Sequence, residues 1–220
     1  MKRTDWRLYL VTDRRLAGER PVEQVVLEAV RGGVTAVQLR EKEASTREFV
    51  ALARRLKAKL APLDVPLIIN DRIDVALAAG ADGVHLGQSD LEYDDARRLA
   101  GSDFLIGLSV ETLEQALEAE RMEVDYLGVS PIFPTPTKTD TGAAWGLEGL
   151  QQLREKSRHT LVAIGGINAS NARQVIAAGA DGIAVVSAIC AAADPAAAAR
   201  KLREIVDDEL GELSSLSSRP

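Results

Sequence analysis

The stretch Gln38-Leu39-Arg40-Glu41-Lys42 places one amide and two cations at alternate positions. Side chains alternate along an extended segment, so Gln38, Arg40 and Lys42 share a face. Their convergence suits a multiply charged anion such as a diphosphate. Taken alone, the same residues read better as a solvated strand end leading into a loop, and the rest of the chain changes that balance. Asp71 and Asp90 each follow an apolar run, and two carboxylates with one nearby histidine suit a hard cation. Mg2+ takes one or two carboxylates, several waters and substrate phosphates. Each aspartate alone reads better as a helix N-cap; beside the Arg40 and Lys42 cations the metal reading prevails. His85 reads as a packed, hydrogen-bonded residue. Gly165-Gly166 and Val186-Ser187 follow two further apolar runs, and glycine lets backbone approach phosphate oxygens. The residues therefore imply two anion sites, one for a diphosphate with metal and one for a monophosphate. The segment Pro134-Thr135-Pro136-Thr137-Lys138 carries two hydroxyls and an ammonium. It reads either as a lid or as a plain connection.

These groups need a scaffold that brings strand ends together. Strands are expected over 8–12, from Thr35 into the Gln38 to Lys42 motif, and over 66–70, 83–86, 104–109, 125–129, 160–164 and 183–186. Helices are expected over 21–31, 45–60, 73–79, 91–99, 113–121, 147–156, 170–178 and from 195 to about 210. Ser45 and Glu48 form a capping-box pattern. Eight βα units in 220 residues predict an α/β fold, the (β/α)8 or TIM barrel, with its active site at the C-terminal strand ends. The alternative, a doubly wound sheet, wants a Gly-rich turn after the first strand, and Thr12-Asp13-Arg14-Arg15 is no such turn. One catalytic domain is expected over 1–212, with a Ser-rich flexible tail over 213–220. The sequence Ala78-Ala79-Gly80-Ala81-Asp82-Gly83-Val84 is echoed by Ala177-Ala178-Gly179-Ala180-Asp181-Gly182-Ile183, which reads as a shared helix-to-strand turn.

Aromatic residues make up 4% of the chain against 46% hydrophobic, so the core must be aliphatic. The formal charge of −6 argues against nucleic-acid affinity, and positive charge for an anionic ligand must be concentrated locally. Cys190 is the only cysteine, which excludes an intrachain disulfide and a Cys-rich zinc site. No signal-peptide pattern or long apolar span is present, so a cytoplasmic protein without membrane partners is expected. Oligomeric state is left open, a homo-oligomer being compatible.

The ordered motifs resemble the thiamine-phosphate synthase family. They are Gln38 to Lys42, Asn70-Asp71-Arg72, the run from Asp82 to Asp90, Gly107-Leu108-Ser109, Pro134 to Lys138, Ile164-Gly165-Gly166-Ile167 and Val186-Ser187-Ala188-Ile189. Ser130 stands where the family usually has glycine. The resemblance implies condensation of a hydroxymethylpyrimidine diphosphate with a thiazole phosphate. It assigns Gln38, Leu39, Arg40, Glu41, Lys42, Asn70, Ser109 and Lys138 to the pyrimidine diphosphate, with Arg40, Lys42, Ser109 and Lys138 as the catalytic set. It gives Asp71 and Asp90 to Mg2+, and Thr135, Pro136, Thr137, Gly166, Val186 and Ser187 to the thiazole phosphate. A thiazole tautomerase of the same fold would need no diphosphate site, and the Arg40, Lys42, Asp71, Asp90 set speaks against it. A non-catalytic phosphate-binding barrel is the alternative from another class.

Overall fold

The computed structural model describes residues 4–135 and 143–217. Eight parallel strands close on themselves in sequence order: β1 (Leu8–Val11), β2 (Ala36–Leu39), β3 (Leu67–Asn70), β4 (Gly83–Leu86), β5 (Leu105–Val110), β6 (Tyr126–Val129), β7 (Leu161–Ile164) and β8 (Gly182–Val185). β8 pairs with β1 and completes the barrel. The expected (β/α)8 architecture is therefore the observed one.

The helices are α1 (Arg14–Ala17), α2 (Val22–Arg31), α3 (Thr46–Leu60), α4 (Ile73–Ala79), α5 (Tyr93–Ala100), α6 (Leu113–Ala119), α7 (Gly146–Arg154), α8 (Ala172–Ala177), α9 (Ser187–Cys190) and α10 (Pro195–Ser217). Ser45 and Glu48 form the expected capping box on α3, and Thr112 with Gln115 forms a second on α6. The one-turn helices α1 and α9 were not expected, because four residues carry no readable period. Asp13 nonetheless caps α1 by accepting from the Arg15 and Leu16 amides. The last helix continues to Ser217, past the end expected near residue 210. Ser214 and Ser215 return their hydroxyls to the Leu210 and Glu212 carbonyls, so these serines sit in the helix without competing for its amides.

Strand alternation sorts the core into two shells. Leu8, Leu10, Val37, Leu39, Leu67 and Ile69 face outward beneath the helices. Tyr9, Val11, Ala36, Ile68, Tyr126, Val162 and Ala184 face inward, with Trp6 packed among them. Both faces are thus covered, which is why the strands read as nearly continuous apolar runs.

One polar device recurs where alternate strands begin. Thr35 Oγ1 accepts from the Leu8 amide, Asp82 from Leu67, Asp125 from Ile106 and Asp181 from Leu161. Each acceptor immediately precedes an even-numbered strand, and each donor lies at or beside the start of the preceding odd one. The Ala-Gly-Ala-Asp-Gly echo is two copies of this device, a structural turn as expected. Removing the acceptor leaves a partly buried amide unpaired. Asp125→Ala should therefore destabilise the fold by about 1–3 kcal/mol, read as a lower urea midpoint with an unchanged slope.

Candidate active site

The C-terminal strand ends surround a cavity of about 430 Å3. Gln38, Arg40 and Lys42 line it together, as their alternation predicts. Leu39 points outward into the helix-covered shell. The Glu41 side chain also turns away and pairs with Arg14 at 3.0 Å. Any contact of Leu39 or Glu41 with a ligand in the cavity would come through backbone. Thr12, itself buried, accepts the Arg40 amide at 3.0 Å and so fixes the chain where it leaves β2. The Arg40 guanidinium lies 3.7 Å from Asp13.

Asn70, Asp71 and Asp90 line the neighbouring wall. Neither aspartate is a helix cap. Arg72 and Glu92 occupy the N-cap positions of α4 and α5. Asp71 takes a left-handed backbone conformation, φ 63°, and donates its amide to the His85 carbonyl at 2.8 Å. Asp90 Oδ2 accepts the Gly87 amide at 2.7 Å, which ties the β4–α5 turn. Burial pushes the Asp71 carboxyl up from 3.8 to about 6, the Asp90 carboxylate adds to the rise, and Arg40 and Lys42 oppose it. Two cations and two carboxylates thus act on each other within one wall. Among the described residues no group of three or more His, Cys, Asp or Glu side chains is placed to hold a metal. A cation held by Asp71 and Asp90 would need its remaining ligands from water and substrate, which is the Mg2+ pattern.

His85 is buried, as expected, between Tyr126 OH at 2.9 Å and Ser109 Oγ at 2.8 Å. Gln88 Nε2 holds the Ser109 carbonyl at 2.7 Å. Tyr9 and Tyr126 join the cavity lining, and sequence reasoning passed over both. Tyr9 sits in an apolar run where an aromatic reads as core, and only its hydroxyl marks it as more.

On the opposite side Ile164 and Val186 line the cavity, as does Ser130. Ser187 is the exposed first residue of α9. Gly166 has φ 67°, and a Cβ there would come within 2.8 Å of Phe133 Cβ and 3.1 Å of the Pro134 carbonyl. Glycine is therefore required for close approach of the β6–α7 loop as well as for its backbone angle. That loop is further tied to β7 by the Ile132 and Phe133 amides, which donate to the Ile164 and Gly165 carbonyls. Thr135 is half-buried. Pro136, Thr137 and Lys138 lie outside the described residues.

The sequence matches the family model described as thiamine monophosphate synthase over residues 8–189. The chain belongs to the thiamine monophosphate synthase family. The thiamine-phosphate synthase of Albidiferax ferrireducens is 62% identical over 91% of this chain and 92% of that protein. That of Syntrophomonas wolfei is 54% identical over 93% and 98%. The solved thiamine phosphate pyrophosphorylase of Pyrococcus furiosus superposes with a TM-score of 0.87 at 44% identity, covering 95% of this chain and 99% of that one. The matched span holds every family-motif residue of the cavity, from Gln38 to Val186.

The raised Asp71 carboxyl has a consequence that can be measured on the protein alone. The folded chain holds this proton more tightly than the unfolded chain. Stability is therefore lost as pH rises from 3.8 to about 6 and stays lost above it. In chelator, Asp71→Asn should melt above the wild type at pH 7–8. The difference should vanish towards pH 4. Thermal denaturation across that range checks both signs.

Proposed function

We propose that the cavity joins 4-amino-2-methyl-5-(diphosphooxymethyl)pyrimidine to 4-methyl-5-(2-phosphooxyethyl)thiazole, giving thiamine phosphate and diphosphate. The observation that carries this reading is the convergence of Arg40 and Lys42 with the Asp71–Asp90 pair on one wall, in a chain of this family. Arg40 and Lys42 bind the diphosphate of the pyrimidine substrate, and Lys138 joins them. Gln38, Asn70 and Ser109 hold the pyrimidine. The thiazole phosphate is taken by Thr135, Pro136, Thr137, Gly166, Val186 and Ser187.

Asp71 and Asp90 would hold Mg2+, whose contribution when bound is to offset negative charge on the diphosphate. The residues fit this ion, since a hard carboxylate pair with room for phosphate oxygens is what it requires. A thiazole nitrogen already carries a lone pair, so the reaction needs no general base. We assign a dissociative substitution. The C–O bond to the diphosphate breaks first, with both electrons leaving on oxygen. The aminopyrimidine delocalises the resulting methylene cation. The thiazole nitrogen then supplies the electron pair of the new C–N bond. Arg40, Lys42 and Lys138 stabilise the charge that develops on the leaving diphosphate. The barrel walls align the two substrates and exclude water.

Two sets of outcomes test this. Arg40→Ala or Lys42→Ala should raise KM for the pyrimidine diphosphate about ten- to hundredfold and leave KM for the thiazole phosphate nearly unchanged; equal rises would refute the two-site map. Electron-withdrawing groups on the pyrimidine should slow a single turnover by orders of magnitude without weakening binding. An unchanged or faster step would mean direct attack by the thiazole nitrogen.

A further inference from the structure

Along the wall of the cavity a row of polar side chains crosses the barrel interior. Gln38 Nε2 lies 3.1 Å from Tyr9 OH, which lies 2.9 Å from Tyr126 OH. Tyr126 OH lies 2.9 Å from His85 Nδ1, and His85 Nε2 lies 2.8 Å from Ser109 Oγ. The row links β2, β1, β6, β4 and β5. Gln38, Tyr9, Tyr126 and His85 are buried, so the bonds among these four are made away from bulk water, while the His85–Ser109 bond is only partly buried.

The geometry gives the row a direction. Each phenol has one hydrogen to give, and a neutral imidazole has one. A carboxamide nitrogen can only donate, and Gln38 turns its nitrogen towards Tyr9. With Gln38 donating to Tyr9, the arrangement in which each phenol both accepts and donates has Tyr9 giving its hydrogen to Tyr126 and Tyr126 giving its own to His85 Nδ1. An imidazole that accepts at Nδ1 carries its hydrogen on Nε2 and donates it to Ser109. Ser109 Oγ then accepts from His85, and its own hydrogen is left for the cavity that Ser109 lines. Burial raises the pKa of both phenols, which keeps their hydrogens in place.

Packing holds the rings to this arrangement. Trp6 lies on Tyr126 with ring centroids 4.2 Å apart, and the His85 and Tyr126 rings stack at 5.5 Å. A methyl group on Gly107 would overlap the Tyr126 ring, and one on Gly128 would come within 2.9 Å of His85 Cε1. These two glycines make room for the row.

We infer that Tyr9 and Tyr126 are positioning residues that fix the direction of this row, hold His85 as its Nε2–H tautomer, and so present Ser109 to the cavity as a hydrogen donor and leave Gln38 Oε1 as an acceptor. A donor and an acceptor of fixed sense would recognise a ring nitrogen and an exocyclic amine, so the inference rests on reading this cavity as the pyrimidine site.

The test is nuclear magnetic resonance on the full protein with 15N-labelled histidine, in the absence of substrate. The chain has two histidines, and the signal lost in His85→Asn identifies His85. The expected result is a hydrogen on Nε2 and none on Nδ1. A hydrogen on Nδ1 would mean that the row runs the other way and would overturn the inference. Tyr126→Phe should mix the two tautomers and raise KM for the pyrimidine diphosphate on the order of tenfold, with KM for the thiazole phosphate unchanged. If that variant does not fold, Tyr9→Phe, which removes the hydroxyl that orients Tyr126, should mix the tautomers and raise the pyrimidine KM, and an unaltered tautomer there would overturn the inference. A folded Tyr126→Phe protein with an unaltered tautomer would reduce the row to a packing feature and also overturn the inference. A mixed tautomer with both KM values unmoved would support the row and instead sink the assignment of this cavity to the pyrimidine.

Discussion

Two carboxylates can share one partly buried wall only if a proton, neighbouring cations or a metal ion offsets their charge. Asp71 and Asp90 stand under that constraint, and much of the cavity answers it. β3 and β4 are adjacent in the barrel, so the turns that follow them bring the two side chains together. β2 adjoins β3, so Arg40 and Lys42 arrive beside the pair and lower the Asp71 carboxyl that burial and Asp90 raise. A wall that sets two cations beside two carboxylates is suited to an anion of high charge. The proposed diphosphate and Mg2+ are therefore taken together.

The barrel interior meets a second constraint. Eight short strands enclose limited volume, and a polar group inside it must find a partner. Tyr9, Tyr126, His85, Gln38 and Ser109 satisfy one another. Gly107 and Gly128 leave the space that the Tyr126 and His85 rings occupy. The lower interior is thereby filled by Trp6 and the two tyrosines, and the upper interior is left as a cavity. The same closure sets Val186 and Ile164 opposite the charged wall, the geometry needed for two substrates to meet.

Most of the architecture was legible because the periodicities are strong. Apolar runs between helices of 3.6 period give the (β/α)8 barrel, and Ser45 with Glu48 marks a helix start that the fold uses. Gln38, Arg40 and Lys42 were legible through alternation alone. Leu39 and Glu41 are adjacent in sequence to those residues and face away for the same reason. What escaped was anything without a period. The single turns α1 and α9 are too short to show one. Ser214 and Ser215 resemble a loose tail until their hydroxyls are seen bonded to the preceding turn. Tyr9 and Tyr126 resemble core residues because the sequence cannot say that their hydroxyls meet across the barrel. Gly166 marks a site for phosphate approach in the sequence, whereas in the fold it also admits Phe133 and Pro134.

The central claim is that this wall supports bond formation, and not merely the binding of phosphate ligands. The direct measurement supplies the full chain with the pyrimidine diphosphate and the thiazole phosphate, in Mg2+ and in chelator, and follows thiamine phosphate and released diphosphate. The account predicts equimolar formation of both products in Mg2+, near-complete loss in chelator and recovery when Mg2+ is restored. Saturable binding of both substrates without either product would contradict it and leave a phosphate-binding barrel.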